Sequence, residues 1–253
     1  MDIIVCAKQV LDVAEIKVHP ETKEPILAGV PRKISDIDKN ALEEAIKIKE
    51  KLGGKVTVFT VGTSEAVENI KELLAMGADE GILVKTQSQD YYVVSKLLMT
   101  AIEKSGPYDI IMCGEASIDQ YSGQMGPRIA GLLNIPQITY VKKLEVTKET
   151  ITADQDTGNT IVTMESSYPV LITVTKEINE PRLPSLMQIL AASNKPIQQW
   201  EGEDLIKKLE EKTIIQKVTG MTSERKNRIY QEENIEDSIE KVVNDLFKEG
   251  IVG

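Results

Sequence analysis

Ile110-Ile111-Met112-Cys113-Gly114-Glu115-Ala116-Ser117-Ile118-Asp119-Gln120-Tyr121-Ser122-Gly123-Gln124-Met125-Gly126-Pro127 joins an unbroken apolar run to a glycine-punctuated loop that ends on a proline. The run Ile110–Cys113 is the mark of a strand covered on both faces. Pro127 presets the backbone of a first helical turn, so the spacing predicts a helix from beside it to Leu133. The free N–H groups of such a helix start, with the side chains of Ser122 and Gln124, form a cradle for phosphate. Gly114, Gly123 and Gly126 admit close backbone approach, and Asp119 is placed to accept from a ribose hydroxyl.

Working outward, Ile3–Cys6, Val56–Val61 and Gly81–Val84 repeat the apolar character. Helical spacing fills the gaps between them. Residues 40–51 carry Ala41, Leu42, Ala45, Ile46 and Ile48 inward, with Glu43 and Lys47 as an i,i+4 pair on the outer face. Ser64 is the expected N-cap of a helix over 65–76 and Gly77 its stop; a third helix covers 92–104. Strands alternating with helices of this length give right-handed βαβ units. The fold class is therefore α/β, an open and mostly parallel sheet with helices on both faces, Rossmann-like. After Ile138 the pattern changes to successive strands at 138–141, 144–146, 149–153, 160–166 and 170–175, an antiparallel extension with Asp156-Thr157-Gly158-Asn159 as a turn. The division read from the chain is a nucleotide-binding α/β domain over 1–194 and a C-terminal arm over 195–253.

Composition closes several doors. With 253 residues the chain can bury a core unaided. Lys+Arg number 30 and Asp+Glu 40, a net charge of −10 that disfavours nucleic acid and anionic membrane surfaces. Two cysteines, Cys6 and Cys113, give no disulfide framework and no cysteine zinc site, and they read as small buried hydrophobes. A single histidine, His19, excludes chemistry that needs two imidazoles and reads as a solvated loop residue. Asp36 and Asp38 read as helix-capping residues. No apolar run approaches 18 residues, so a cytoplasmic protein without membrane insertion is expected.

Ligands of parallel α/β sheets bind at the C-terminal strand edge. That rule selects Cys6-Ala7-Lys8, Val61-Gly62-Thr63 and the 114–127 loop. GxGxxG, GxxxxGK[ST] and GxSxG are all absent, which removes the normal dinucleotide fingerprint, the Walker-type NTPase and the nucleophile elbow. Adenine-nucleotide hydrolysis or ligation is poorly supported.

Asn179-Glu180-Pro181-Arg182-Leu183-Pro184-Ser185-Leu186 resembles the signature of the electron-transfer flavoprotein β-subunit family. Val5-Cys6-Ala7-Lys8-Gln9-Val10-Leu11-Asp12, Leu74–Asp79, the 114–127 loop and Ile135–Tyr140 agree in order and spacing, so the resemblance covers residues 1–195. It implies an electron-carrier subunit rather than an independent enzyme, paired with a flavin-bearing α-subunit. It also implies an adenine nucleotide held at Cys6, Ala7 and Lys8; at Ser35, Asp36, Ile37 and Asp38; at Val61, Gly62 and Thr63; and at Gly114, Glu115, Ala116, Ser117, Ile118, Asp119, Gln120, Tyr121, Ser122, Gly123, Gln124 and Met125. In bifurcating relatives the nucleotide is FAD, reduced by NADH, beside a second FAD on the α-subunit. In simple carriers it is AMP.

Lys8-Gln9-Val10 and Asp38–Glu43 resemble the bifurcating branch, so FAD is expected here. The chain departs from that branch at Ser35-Asp36, where Asn-Pro is common, and at Ala153 and Thr160, where an Arg and a Glu stand. The resemblance further implies that Leu186 and Ile189, on a loop shaped by Arg182 and Pro184, reach a flavin-dependent dehydrogenase of acyl-CoA or hydroxy-acid type. A stress-type nucleotide-binding module without redox chemistry is the alternative from another class. Such a module has no need of the arm, where Ile235, Ile239, Val242, Val243 and Leu246 form a stripe that either packs back or meets a partner chain.

Overall fold

The computed structural model of the chain describes residues 1–208, 210–220 and 227–252. It divides into one unit formed by Met1–Lys17 with Ile26–Val218, and a second formed by Val18–Pro25 with the described part of Thr219–Gly253. In chain order the elements are β1 (Asp2–Cys6), β2 (Gln9–Leu11), β3 (Lys17–Val18), β4 (Pro25–Ile26), β5 (Arg32–Ile34), α1 (Asp36–Leu52), β6 (Lys55–Gly62), α2 (Ala66–Met76), β7 (Glu80–Lys85), α3 (Tyr91–Ser105), β8 (Ile110–Gly114) and α4 (Met125–Leu133). There follow β9 (Gln137–Val146), β10 (Ile151–Asp156), β11 (Ile161–Ser166), β12 (Val170–Val174), α5 (Leu186–Ala192), β13 (Ile197–Glu201), α6 (Gly202–Leu205) and α7 (Ile235–Lys248).

Among the described residues, nine strands make the main sheet in the order β11-β10-β9-β12-β8-β1-β6-β7-β13. β10 runs antiparallel to β9 and β11, and the other neighbours are parallel. From β1 the chain winds outward through β6 and β7, then returns to place β8 on the other flank of β1. The strand order therefore reverses beside β1, and a crevice opens there at the carboxyl ends.

Alternation along β1 shows why its run is apolar throughout. Ile3 and Val5 enter one core with α1 and α2, while Ile4 and Cys6 enter the opposite core with α3 and α4. Both faces are dry from Ile3 to Cys6, so these four positions are apolar, while Asp2 at the strand's start is exposed.

Several expectations change in detail. The segments 138–141 and 144–146 form one strand, β9, whose pairing with β10 shifts register between Asp154 and Gln155. The helix over 65–76 begins at Ala66, and Ser64 does not cap it; Ala66 N–H bonds the Thr63 carbonyl at 3.0 Å. Lys47 pairs with Glu44 at 3.5 Å, because Glu43 turns inward to Arg182, 139 residues away, a partner that helical spacing cannot reveal. Beyond residue 195, β13 joins the sheet against β7. Trp200 on β13 meets Phe59 edge-on at 6.5 Å and carries the Lys104 ammonium 4.4 Å above its ring.

In the second unit His19 is exposed, its Nδ1 accepting from the N–H groups of Glu21 and Thr22 at 3.3 Å. There α7 is capped by Asn234, whose Oδ1 takes the Glu236 N–H at 3.0 Å, and Ile235, Ile239, Val243 and Phe247 are exposed. No described helix is long and apolar enough to cross a membrane.

Candidate nucleotide-binding site

The carboxyl ends of β1, β6, β7 and β8 border a cleft of about 460 Å³, within the range of small-molecule sites. Cys6, Ala7, Lys8, Asp38, Val61, Gly62, Thr63, Gly114–Ser117, Asp119, Gln120 and Ser122–Met125 line it. Among the residues expected there, Ser35, Asp36, Ile37, Ile118 and Tyr121 stand outside the lining. Ser35 Oγ accepts from the Ile118 N–H at 3.3 Å, and Asp36 pairs with Lys33 at 3.0 Å. Tyr121 is exposed and donates to Glu115 Oε1 at 3.0 Å. Tyr121 thus meets the lining directly, at Glu115.

Asp38 holds the floor together. Its side chain crosses from α1 to two strand ends, taking the Lys8 N–H at 2.9 Å and the Gly114 N–H at 3.0 Å. It thus joins two strands instead of capping its own helix. Burial drives its carboxyl up to about 7 despite the two N–H bonds that favour the anion. Cys6 and Cys113 flank it without a disulfide, and burial, with Asp38 nearby, pushes the Cys6 thiol up to about 12. Such thiols are inert packing groups.

The rim is a chain of polar contacts. Lys8 Nζ bonds both Asp119 oxygens at 2.8 and 3.0 Å and Gln120 Oε1 at 2.9 Å, and the Tyr91 hydroxyl donates to the same Gln120 oxygen at 3.0 Å. Burial presses the Asp119 carboxyl upward, but Lys8 and Ser117 outweigh it and hold it below the usual range. Asp119 is thus ion-paired with Lys8 at the rim. Among the described residues the other lining cation, Arg32, pairs with Glu65 at 3.1 Å.

Phosphate-binding capacity falls on backbone N–H groups. Among the described residues no acceptor faces the N–H of Ser122, Gly123, Gln124, Met125 or Gly126. Gly123 sits at φ +63, the left-handed conformation that turns successive N–H groups toward one side, and α4 starts two residues later. Its N-cap Gln124 makes no side-chain cap, so the start of the helix dipole stays uncompensated. Gly62 faces open space where a Cβ would meet nothing within 4 Å. This is a cradle that fits an anionic nucleotide. No group of acidic, cysteine and histidine side chains among the described residues would hold a metal ion.

Sequence reasoning missed the wall after β7: Thr86, Gln87, Ser88, Gln89 and Tyr91. The strand-edge rule applies equally to β7, but the polar stretch after Lys85 carries no glycine to attract notice. Gln9–Leu11, Leu27 and Arg32 form the opposite side. They come from β2, β5 and the loop before it, whose antiparallel pairing has no local signal.

The loop at 179–190 is a separate feature. Arg182 grips α1 through Glu43 at 2.8 Å and Glu50 at 2.6 Å, while the amides of Asn179 and Asn40 bond each other's backbone carbonyls. Leu183, Leu186, Met187, Ile189 and Leu190 are left exposed, Leu186 at 72%. Ser185 caps α5 with a reciprocal Gln188 bond.

Residues 26–205 match the model of a family described as the electron transfer flavoprotein domain. The chain is 46% identical over 198 residues, 77% of its length and 76% of the relative's, to an electron transfer flavoprotein subunit beta of Thermoanaerobacterium thermosaccharolyticum. It is 38% identical over 211 residues to the caffeyl-CoA reductase-Etf complex subunit CarD of Acetobacterium woodii, covering 81% and 80% of the two chains. Protein FixA of Sinorhizobium fredii is 34% identical over 263 aligned positions, 97% of this chain and 92% of the relative.

Proposed function

The chain belongs to the electron transfer flavoprotein β-subunit family, and from that premise we propose that it pairs with a flavin-bearing α-subunit and holds FAD of its own in the cleft at the ends of β1, β6, β7 and β8. Electrons enter from NADH or a dehydrogenase and leave to partner acceptors, by bifurcation between two of them. FAD, when bound, supplies the two-electron and one-electron chemistry. This chain's residues bind, orient and shield it.

The observation that carries the proposal is the row of N–H groups from Ser122 to Gly126, at the head of α4, that meet no acceptor among the described residues. In a chain of net charge −10 whose cleft cations are already paired, backbone dipoles are the available means of holding a pyrophosphate. Four adjacent strand ends span about 14 Å at ordinary strand spacing, which gives a dinucleotide ground beyond a mononucleotide cradle. Leu11, Leu27, Val94 and Leu98 add apolar lining suited to a ring system. Thr86 to Gln89 offer polar contacts on one side.

The exposed leucines at 183, 186 and 190 are the surface for a dehydrogenase, with Arg182 and Pro184 fixing the loop. A small apolar cluster on a clamped loop is the usual form of a binding hot spot. The relative named for a caffeyl-CoA reductase complex supports an acyl-CoA type of partner. The arm, with the apolar stripe of α7, is the part assigned to the α-subunit.

The test is a cofactor count on the complex as purified. Denaturation and chromatography should release two FAD per heterodimer. One FAD with one AMP returns the simple carrier. A β-subunit that yields neither nucleotide overturns the site, and a pull-down recovering only self-association moves the chain to the non-redox module.

A further inference from the structure

Three residues from the chain's C-terminal stretch hydrogen-bond the 86–91 segment that forms the overlooked wall of the cleft. Thr213 donates its hydroxyl to Asp90 Oδ2 at 2.6 Å and its N–H at 2.7 Å, and the Lys212 N–H reaches the same oxygen at 3.0 Å. The other Asp90 oxygen caps α3 by accepting from the Val93 N–H at 3.0 Å. One residue earlier, Glu211 accepts from the Ser88 hydroxyl at 2.6 Å. Asp90 is 4% exposed, and four donors converge on its one carboxylate. Burial alone would raise that carboxyl, but the bonds from Thr213, Val93 and Lys212 hold it at about 2.

Asp90 precedes Tyr91, whose hydroxyl bonds the Gln120 oxygen that Lys8 also holds. The chain of contacts runs without a gap from Thr213 through Asp90 and Tyr91 to the glycine loop. Segment 211–213 is held to the 86–91 wall by side-chain and backbone bonds to Ser88 and Asp90. Past it, Ile214, Ile215 and Val218 are exposed.

We propose that Thr213 is a positioning residue of the nucleotide cleft: through Asp90 it fixes the wall formed by residues 86–91, and through Tyr91 and Gln120 it sets the distance between that wall and the loop that cradles phosphate. The proposal rests on the reading of the cleft as a nucleotide site. It makes nucleotide affinity depend on the first residues of the C-terminal stretch.

The full chain in the complex it purifies with is compared as wild type, Thr213→Val and Thr213→Ser. Two readouts are taken well below the melting temperature: amide hydrogen exchange at residues 86–91, and titration with FAD and with AMP after removal of bound nucleotide. Thr213→Val should speed exchange at 86–91 and weaken the nucleotide that the wild type binds by about five-fold, and Thr213→Ser, which keeps the hydroxyl, should restore both. Unchanged exchange at 86–91 in Thr213→Val overturns the latch. Faster exchange with unchanged nucleotide affinity overturns its role in the site. A wild type that takes up neither nucleotide overturns the nucleotide reading of the cleft itself, while the exchange arm still decides the latch.

Discussion

Gly114 and Asp38 lie so close that a Cβ on Gly114 would stand 2.8 Å from the same Asp38 Oδ1 that the Gly114 N–H bonds at 3.0 Å. Ile37 comes next, its Cγ2 methyl at 2.9 Å and its backbone carbonyl carbon at 3.0 Å, so rotating side chains alone cannot relieve the clash. Gly114→Ala should therefore push α1 away from β8 and break the strand-to-helix bond at the cleft floor. The expected loss is about 3 kcal/mol of stability, checked by urea denaturation, with nucleotide occupancy falling in parallel.

Asp38 also gives the fold a pH dependence of known sign. Its folded carboxyl ionises at about 7, against an ordinary aspartate near 3.8, because burial opposes the charge. The stability that it contributes is fully present below about pH 3.8 and is lost as pH rises through about 7. The difference in unfolding free energy between wild type and Asp38→Asn should thus move against the wild type from pH 4 to 7 and level off above 8. A flat difference across that window would show that the two N–H bonds dominate burial.

Gly62 separates binding from folding in a way that Gly123 cannot. A side chain at Gly123 is strained by its φ of +63 and meets the Tyr140 hydroxyl at 3.2 Å, so a loss of nucleotide there mixes two causes. At Gly62 a Cβ meets nothing. Gly62→Val should leave the melting temperature within about 2 °C, since its Cβ enters open space, while nucleotide content drops at least about ten-fold. Absorbance of the released cofactor measures it.

Most of the fold was legible because both faces of the sheet are dry. Runs such as Ile3–Cys6 and Ile110–Cys113 have a single reading once helices of matching length separate them. The glycine loop was legible for a related reason: Gly114, Gly123 and Pro127 each answer a backbone demand. What stayed hidden depends on partners distant in sequence. Glu43 looks like a surface residue until Arg182 is brought to it, and Asp38 looks like a cap until Gly114 arrives. Thr86–Tyr91 looks like an ordinary polar loop until Thr213 is seen beside it.

Arg182 and Leu186 divide the labour of the exposed loop, and substitutions should separate them. Leu186 touches little within the chain, so Leu186→Ala should leave stability and cofactor content unchanged and raise the KM for the dehydrogenase partner about ten-fold, the scale of one hot-spot leucine. Arg182→Ala does something else. It strands Glu43, whose side chain is 5% exposed, without its cation, and should cost about 3 kcal/mol in thermal or urea unfolding.

Truncation gives the sharpest view of the arm. Val218 closes the unit that carries the cleft, and a chain ending there keeps β13, Trp200 and the Thr213 contact with Asp90. A chain ending at Lys195 loses all three and bares the edge of β7, so its failure would say nothing specific about partners. The chain cut after Val218 should retain its nucleotide yet lose most of its α-subunit in co-purification, because α7, with Ile235, Ile239, Val243 and Phe247 exposed, goes with the removed part. Recovery of a full heterodimer from that truncation would place the α-subunit's main contact on the sheet-bearing unit, and the antiparallel edge strand β11, with Ile161, Val162 and Met164 exposed, would become the surface to mutate next.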